Sequence, residues 1–198
     1  MAMISNAPSR PLMASYFAGR ADKAGFTVAH QVALVIGGSI LLALSAHIKV
    51  PFYPVPLTMQ TMLVLLIGMA YGSRLGSATV IAYLAQGAVG LPVFAGGAGL
   101  AYMAGPTGGY LMGFVVAALV VGTLAEKSWG KTALTTALAM VIGNVVIYVL
   151  GVGYLSTIVG SFEKAIQFGL APFIYGDLLK IIIATALLPM AWKFLPKR

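Results

Sequence analysis

The stretch LGSATVIAYLAQGAVGLPVFAGGAGLAYMAGPTGGYLMGFVVAALVVGTLA, residues 75–125, runs for 51 residues without an Asp, Glu, Lys or Arg. A water-soluble domain needs roughly 25% charged residues to cover its surface, so this stretch belongs in a membrane. It is too long for one span, because a hydrocarbon core of ~30 Å takes about 20 helical residues. Its middle, residues 87–109, is rich in glycine and proline, so it reads as two helices, about 76–88 and about 110–125, around an uncharged loop. Unpaired loop backbone cannot face lipid, so the loop is expected to pack inside protein.

The rest of the chain agrees. Of 198 residues, 8% are charged and 60% hydrophobic, with a mean hydropathy of +0.98. Charge gaps and prolines place four more spans, at about 31–47, 57–71, 132–151 and, after Pro172, 173–188. Pro51, Pro54 and Pro56 delay the second span, and Pro189 is expected to close the last. Between the fifth and sixth spans, residues 153–171 read as a looser interfacial segment, with Glu163 and Lys164 on a short amphipathic helix. The expected architecture is therefore an all-α integral membrane protein of six transmembrane helices. Residues 1–28 form a cytoplasmic N-terminal arm without signal-peptide features, and residues 29–198 form one transmembrane domain. Nine basic residues fall on the side of the termini (Arg10, Arg20, Lys23, Arg74, Lys127, Lys131, Lys193, Lys197, Arg198). Two, Lys49 and Lys164, fall on the other. That bias puts both termini in the cytoplasm.

Several function classes drop out. With no cysteine there is no disulfide or thiol chemistry, and His30 and His47 make a poor metal set, so no metal site is expected. The basic residues form no run that tracks phosphates, so no nucleic-acid partner is expected. Gly130, Lys131 and Thr132 resemble the end of a phosphate-binding loop, but Ala125 stands where that pattern needs glycine. Neither H-E-x-x-H nor G-x-S-x-G occurs.

The sharpest polar signal is P-F-I-Y-G-D-L-L-K at 172–180. Asp177 and Lys180, three residues apart, share a helical face inside an apolar span, with Lys180 roughly 12 Å inward from Pro172. A charge at the bilayer centre costs about 2.5–3.5 kcal/mol on insertion scales, while an exposed pair at this spacing gains only about 0.2–0.5 kcal/mol. Either the pair neutralises itself while Lys180 snorkels outward, or it serves a polar ligand. The proline-rich loop 51–58, carrying Phe52, Tyr53 and Thr58, is either a stiff connector or a preorganised lid. Asn144 is either a helix-packing hydrogen bonder or a pocket donor. In the first span, small residues form two ladders, Ala29, Ala33, Gly37 and Ser39, Ala43, for internal packing or for a membrane partner.

Four segments carry a family resemblance: V-P-F-Y-P-V-P-L-T-M-Q at 50–60, A-Y-L-A-Q-G-A-V-G-L-P-V-F-A-G-G at 82–97, A-G-P-T-G-G-Y-L-M-G-F at 104–114 and P-F-I-Y-G-D-L-L-K at 172–180. Together they closely resemble the BioY family, the biotin-specific S component of energy-coupling factor (ECF) vitamin transporters. The resemblance implies an S-component fold, in which the chain captures biotin from the extracellular or periplasmic side of a bacterial cytoplasmic membrane and contributes no enzymatic activity. It implies Asp177 and Lys180 as polar contacts, with the 51–58 loop and the P-V-F-A-G-G loop, through Gly97, around the ligand. Phe52, Tyr53, Tyr83, Phe94 and Tyr110 are the candidate walls. The implied partners are a transmembrane coupling protein and ATPase subunits. The chain has no nucleotide-binding motif, so ATP would act only through those subunits and no cofactor is expected. The first-span ladders resemble the docking face, with its register open between the two. A self-sufficient secondary transporter is the alternative, and an intramembrane enzyme using Asp177 as base lacks a second catalytic group.

Overall fold

In a computed structural model, which describes residues 11–20 and 27–193, the uncharged 75–125 stretch folds as two long helices around a short one. They are α4 (Ser73–Ala88), α5 (Gly99–Met103) and α6 (Gly108–Glu126). Upstream lie α1 (Leu12–Arg20), α2 (Val28–His47) and α3 (Gln60–Tyr71); downstream lie α7 (Ala133–Val159), α8 (Phe162–Gly169) and α9 (Ile174–Lys193). Four stretches are long and apolar enough to cross a membrane: Val28–His47, Gly108–Glu126, Ala133–Val159 and Phe162–Lys193. Gln60–Tyr71 is apolar but shorter.

The bundle is built around α6, which packs on α3, α4 and α7; α2 lies against α4, and α9 against α7 and α3. Close approach is possible because α6 carries glycine at its contacts. A Cβ at Gly122 would stand 2.4 Å from the Ser73 amide nitrogen, so α4 can start only where α6 has no side chain. The outward faces are apolar too: Val32, Ile36, Ile40 and Leu44 on α2, Val145 and Val149 on α7, and Leu178 and Ile182 on α9 are exposed. In water that belt would be an aggregation surface; in lipid it is the matching solvent.

Each end of the bundle gathers its own loops. At one end Glu126 Oε1 accepts from the backbone N–H and hydroxyl of Ser73, both at 2.8 Å, and Lys131 Nζ stands 5.2 Å from the Trp192 ring centroid. At the other end, β1 (Lys49–Val50) and β2 (Leu57–Thr58) pair antiparallel, with Lys49 opposite Thr58, and pull the proline-rich loop into a hairpin. Phe52 at its tip meets Phe173 edge-on, with centroids 6.2 Å apart, in the 3-10 turn Ala171–Phe173.

Several boundaries differ from the sequence reading. The second helix begins at Gln60 because Leu57 and Thr58 are used by the hairpin. Residues 153–159 continue α7 instead of loosening; the amphipathic helix follows as α8, capped by Ser161 and with Glu163 in its first turn. Pro189 does not end the last helix, which continues through it to Lys193. Proline removes one backbone donor, but buried Leu188 and the Trp192 contact hold the final turn by packing. Part of the expected arm is helical: α1 lies on α3 and buries Leu12. The remainder of the arm, 1–10 and 21–26, and the basic residues Lys197 and Arg198 lie outside the described residues.

Candidate functional site

Ion-pair geometry defines the site. Asp177 and Lys180 occupy the first two turns of α9 and are 4% and 5% exposed, so the pair does not snorkel to an interface. Lys180 Nζ donates to Asp177 Oδ1 at 2.7 Å and to Thr61 Oγ1 at 2.9 Å, and Thr61 Oγ1 donates to the same carboxylate oxygen at 3.2 Å. The Tyr148 hydroxyl on α7 donates to Asp177 Oδ2. Helices α3, α7 and α9 thus converge on one carboxylate.

This cluster forms part of the wall of a cavity that is partly open to the outside. The rest is largely apolar: Leu57, Phe94, Tyr110, Leu111, Phe114, Ile147 and Phe173 face it, with Thr58, Gln60, Tyr102 and Thr107 adding polar atoms. Concave apolar walls with a few convergent polar groups are the usual form of a small-molecule site. A second polar chain lies beside it: Gln60 Nε2 donates to the Tyr83 hydroxyl at 2.7 Å, which donates to the Val93 carbonyl at 3.0 Å. That chain, with Phe94 edge-on to Tyr83 (5.5 Å) and stacked on Tyr102 (5.2 Å), fixes the 91–97 loop against α4.

Of the residues singled out in the sequence, Thr58, Phe94, Tyr110, Asp177 and Lys180 line this one cavity. Tyr83 is fully buried behind Phe94 and does not line it. Gly97, at φ +153, closes a tight turn by bridging to Phe94, a backbone shape that favours glycine. Phe52 borders an outer vestibule above the cavity, and Tyr53 is 92% exposed on the hairpin. Asn144 is buried on α7 one turn from Tyr148, outside the cavity lining, and its Oδ1 has no hydrogen-bond partner among the described residues. The two small-residue ladders also separate. Ala29, Ala33 and Gly37 are exposed, and a Cβ at Gly37 would meet nothing within 4 Å. Ser39 is buried, accepting from Gln86 Nε2 at 2.9 Å, and Ala43 is half-buried.

Thr61 and Tyr148 were not among the candidates. Thr61 directly follows the proline-rich segment, a placement that draws attention to it. One tyrosine in the apolar run of α7 carries no comparable signal.

Comparisons with known proteins identify the family. The BioY family profile matches residues 15–197. The biotin transporter BioY of Thermotoga maritima is 43% identical over 148 residues, 73% of this chain and 85% of that protein. The probable biotin transporter BioY of Pyrococcus horikoshii is 40% identical over 157 residues, covering 79% of this chain and 92% of that one. The fold is shared, at 24% identity and a TM-score of 0.73, with a crystal structure of the S-component for biotin from an ECF-type ABC transporter. That match covers 84% of this chain and 94% of the other. With its profile match spanning nearly the whole sequence and its relatives matching along most of their own length, this chain belongs to the BioY family.

Proposed function

We propose that this chain is the biotin-binding S component of an ECF transporter, a transport subunit and not an enzyme. The observation that carries the reading is the buried Asp177, Lys180, Thr61 and Tyr148 cluster on an apolar, aromatic cavity, together with relatives that are named biotin transporters. Biotin matches this chemistry: a cyclic urea with two N–H donors and a carbonyl, a thiophane ring for apolar walls, and a carboxylate on a flexible tail.

Hydrogen-bond accounting supports the urea as the end that meets the cluster. A carboxylate offers about four lone-pair sites, and Asp177 already accepts three bonds, from Lys180, Thr61 and Tyr148. One acceptor site remains, beside one unused N–H of Lys180, which donates to two oxygens. One donor and one acceptor side by side complement an H–N–C=O edge. A ligand carboxylate there would instead place two anions around one ammonium in a buried site.

Positive charge supports an orientation with the hairpin and cavity outside and both termini in the cytoplasm of a bacterial cell, α2, α3, α4, α6, α7 and α9 making six spans in its cytoplasmic membrane. The exposed ladder Ala29, Ala33, Gly37 is then the face offered to a transmembrane coupling protein, whose ATPase subunits supply the energy; buried Ser39 favours this register over the other.

Mass spectrometry of small molecules released from the purified protein tests the ligand. Biotin at about one equivalent is expected. A different solute, or none after incubation with biotin, would overturn the reading.

A further inference from the structure

The outer vestibule holds a cation that the cluster chemistry does not use. Lys49, on β1, donates through Nζ to the carbonyl of Ala95. Ala95 lines both the inner cavity and the vestibule, so the ammonium is held at the ledge where the two spaces meet. Among the described residues lining either space, the charged ones are Asp177, Lys180 and Lys49. The first two neutralise each other at 2.7 Å, whereas Lys49 has no carboxylate partner among the described residues. Its ammonium carries three donors, and a neutral carbonyl takes one of them. Around it the vestibule offers Phe52, Tyr102 and the three loop prolines, a lining suited to a short aliphatic chain.

We propose that Lys49 is the anion subsite of this transporter, taking the carboxylate on the ligand's tail while the neutral head lies on Asp177 and Lys180. The proposal rests on the biotin reading and deepens it, since it decides which way round the ligand enters. The net-neutral inner pair gives a carboxylate no surplus positive charge, and Lys49 supplies that charge where the cavity opens. A carboxylate bound there also links the hairpin to the 91–97 loop, because Lys49 belongs to one and Ala95 to the other.

Titration calorimetry on the purified full chain tests this with biotin and biotin amide, which differ in the charge of the tail. In the unmodified protein the acid should bind tighter than the amide by roughly 10- to 100-fold, the range of a charge-assisted hydrogen bond. In Lys49→Gln the ratio of the two affinities should fall close to one, and added salt should no longer weaken the acid selectively. Taking the ratio cancels any general effect of the substitution on folding. A ratio preserved in Lys49→Gln, or no preference in the unmodified protein, overturns the anion subsite while leaving the biotin reading intact. Failure of the unmodified protein to bind either compound overturns both.

Discussion

Replacing Asp177 by Asn should destabilise this protein more than replacing Lys180 by Met, although both changes should abolish ligand binding. The asymmetry follows from what each leaves behind. Without its ammonium, the Asp177 carboxylate keeps the Thr61 and Tyr148 hydroxyls as donors. With a neutral amide in place of the carboxylate, the Lys180 ammonium keeps Thr61 Oγ1 and the amide oxygen as acceptors but loses its counter-charge, at a site where the residue is 5% exposed. Breaking a buried ion pair by removing one partner costs about 3–5 kcal/mol, because an uncompensated charge remains. Asp177→Asn should fall in that range. Lys180→Met should lose roughly the worth of one charged hydrogen bond, about 1.5–3 kcal/mol. The double replacement, Asp177→Asn with Lys180→Met, removes both charges and should be more stable than Asp177→Asn alone by about 2 kcal/mol or more. Thermal unfolding of the purified proteins in one detergent, followed by a core fluorophore or by scanning calorimetry, ranks the three variants and the unmodified chain. A double variant less stable than both single ones, or an Asp177→Asn protein as stable as the unmodified chain, would refute the idea that Asp177 compensates a buried ammonium.

Two glycines should separate packing from partner contact. Gly122→Val forces a Cβ to within 2.4 Å of the Ser73 backbone and should lower the melting temperature by the equivalent of about 1–3 kcal/mol or prevent folding. Gly37→Val meets open space, so the purified protein should fold and bind biotin normally; uptake reconstituted with the energising subunits should fall if the exposed ladder docks them. Tyr83→Phe strips Gln60 Nε2 and the Val93 carbonyl of their partner. Stability should drop by about 1–3 kcal/mol, seen as a lower melting temperature, with a smaller change in biotin affinity than Asp177→Asn gives.

Residues legible in the sequence were those whose chemistry contradicts their surroundings. An uncharged run of 51 residues requires a membrane, and a carboxylate and an ammonium three apart within such a chain require a shared face and a shared purpose. Helix identity was equally readable, because in lipid the backbone of an apolar span has almost no other way to satisfy itself. What the sequence alone could not decide was which side of each helix looks inward. Helices α2, α6 and α7 are apolar all round, since lipid and core make the same demand, and the periodicity that orients a helix in water is lost. The choice between Ala29, Ala33, Gly37 and Ser39, Ala43 as the exposed ladder therefore waited on packing. So did the partners of Asp177, because Tyr148 lies 29 residues away and Thr61 116 residues away, on helices that meet only when the bundle closes. Tertiary structure also set aside Tyr53 and Tyr83 as cavity walls, one turned outward on the hairpin and the other buried behind Phe94. Composition and local spacing determined that this is a helical membrane protein with one anomalous ion pair. Long-range packing alone decided what surrounds that pair, because contacts between distant segments depend on how whole helices fit together.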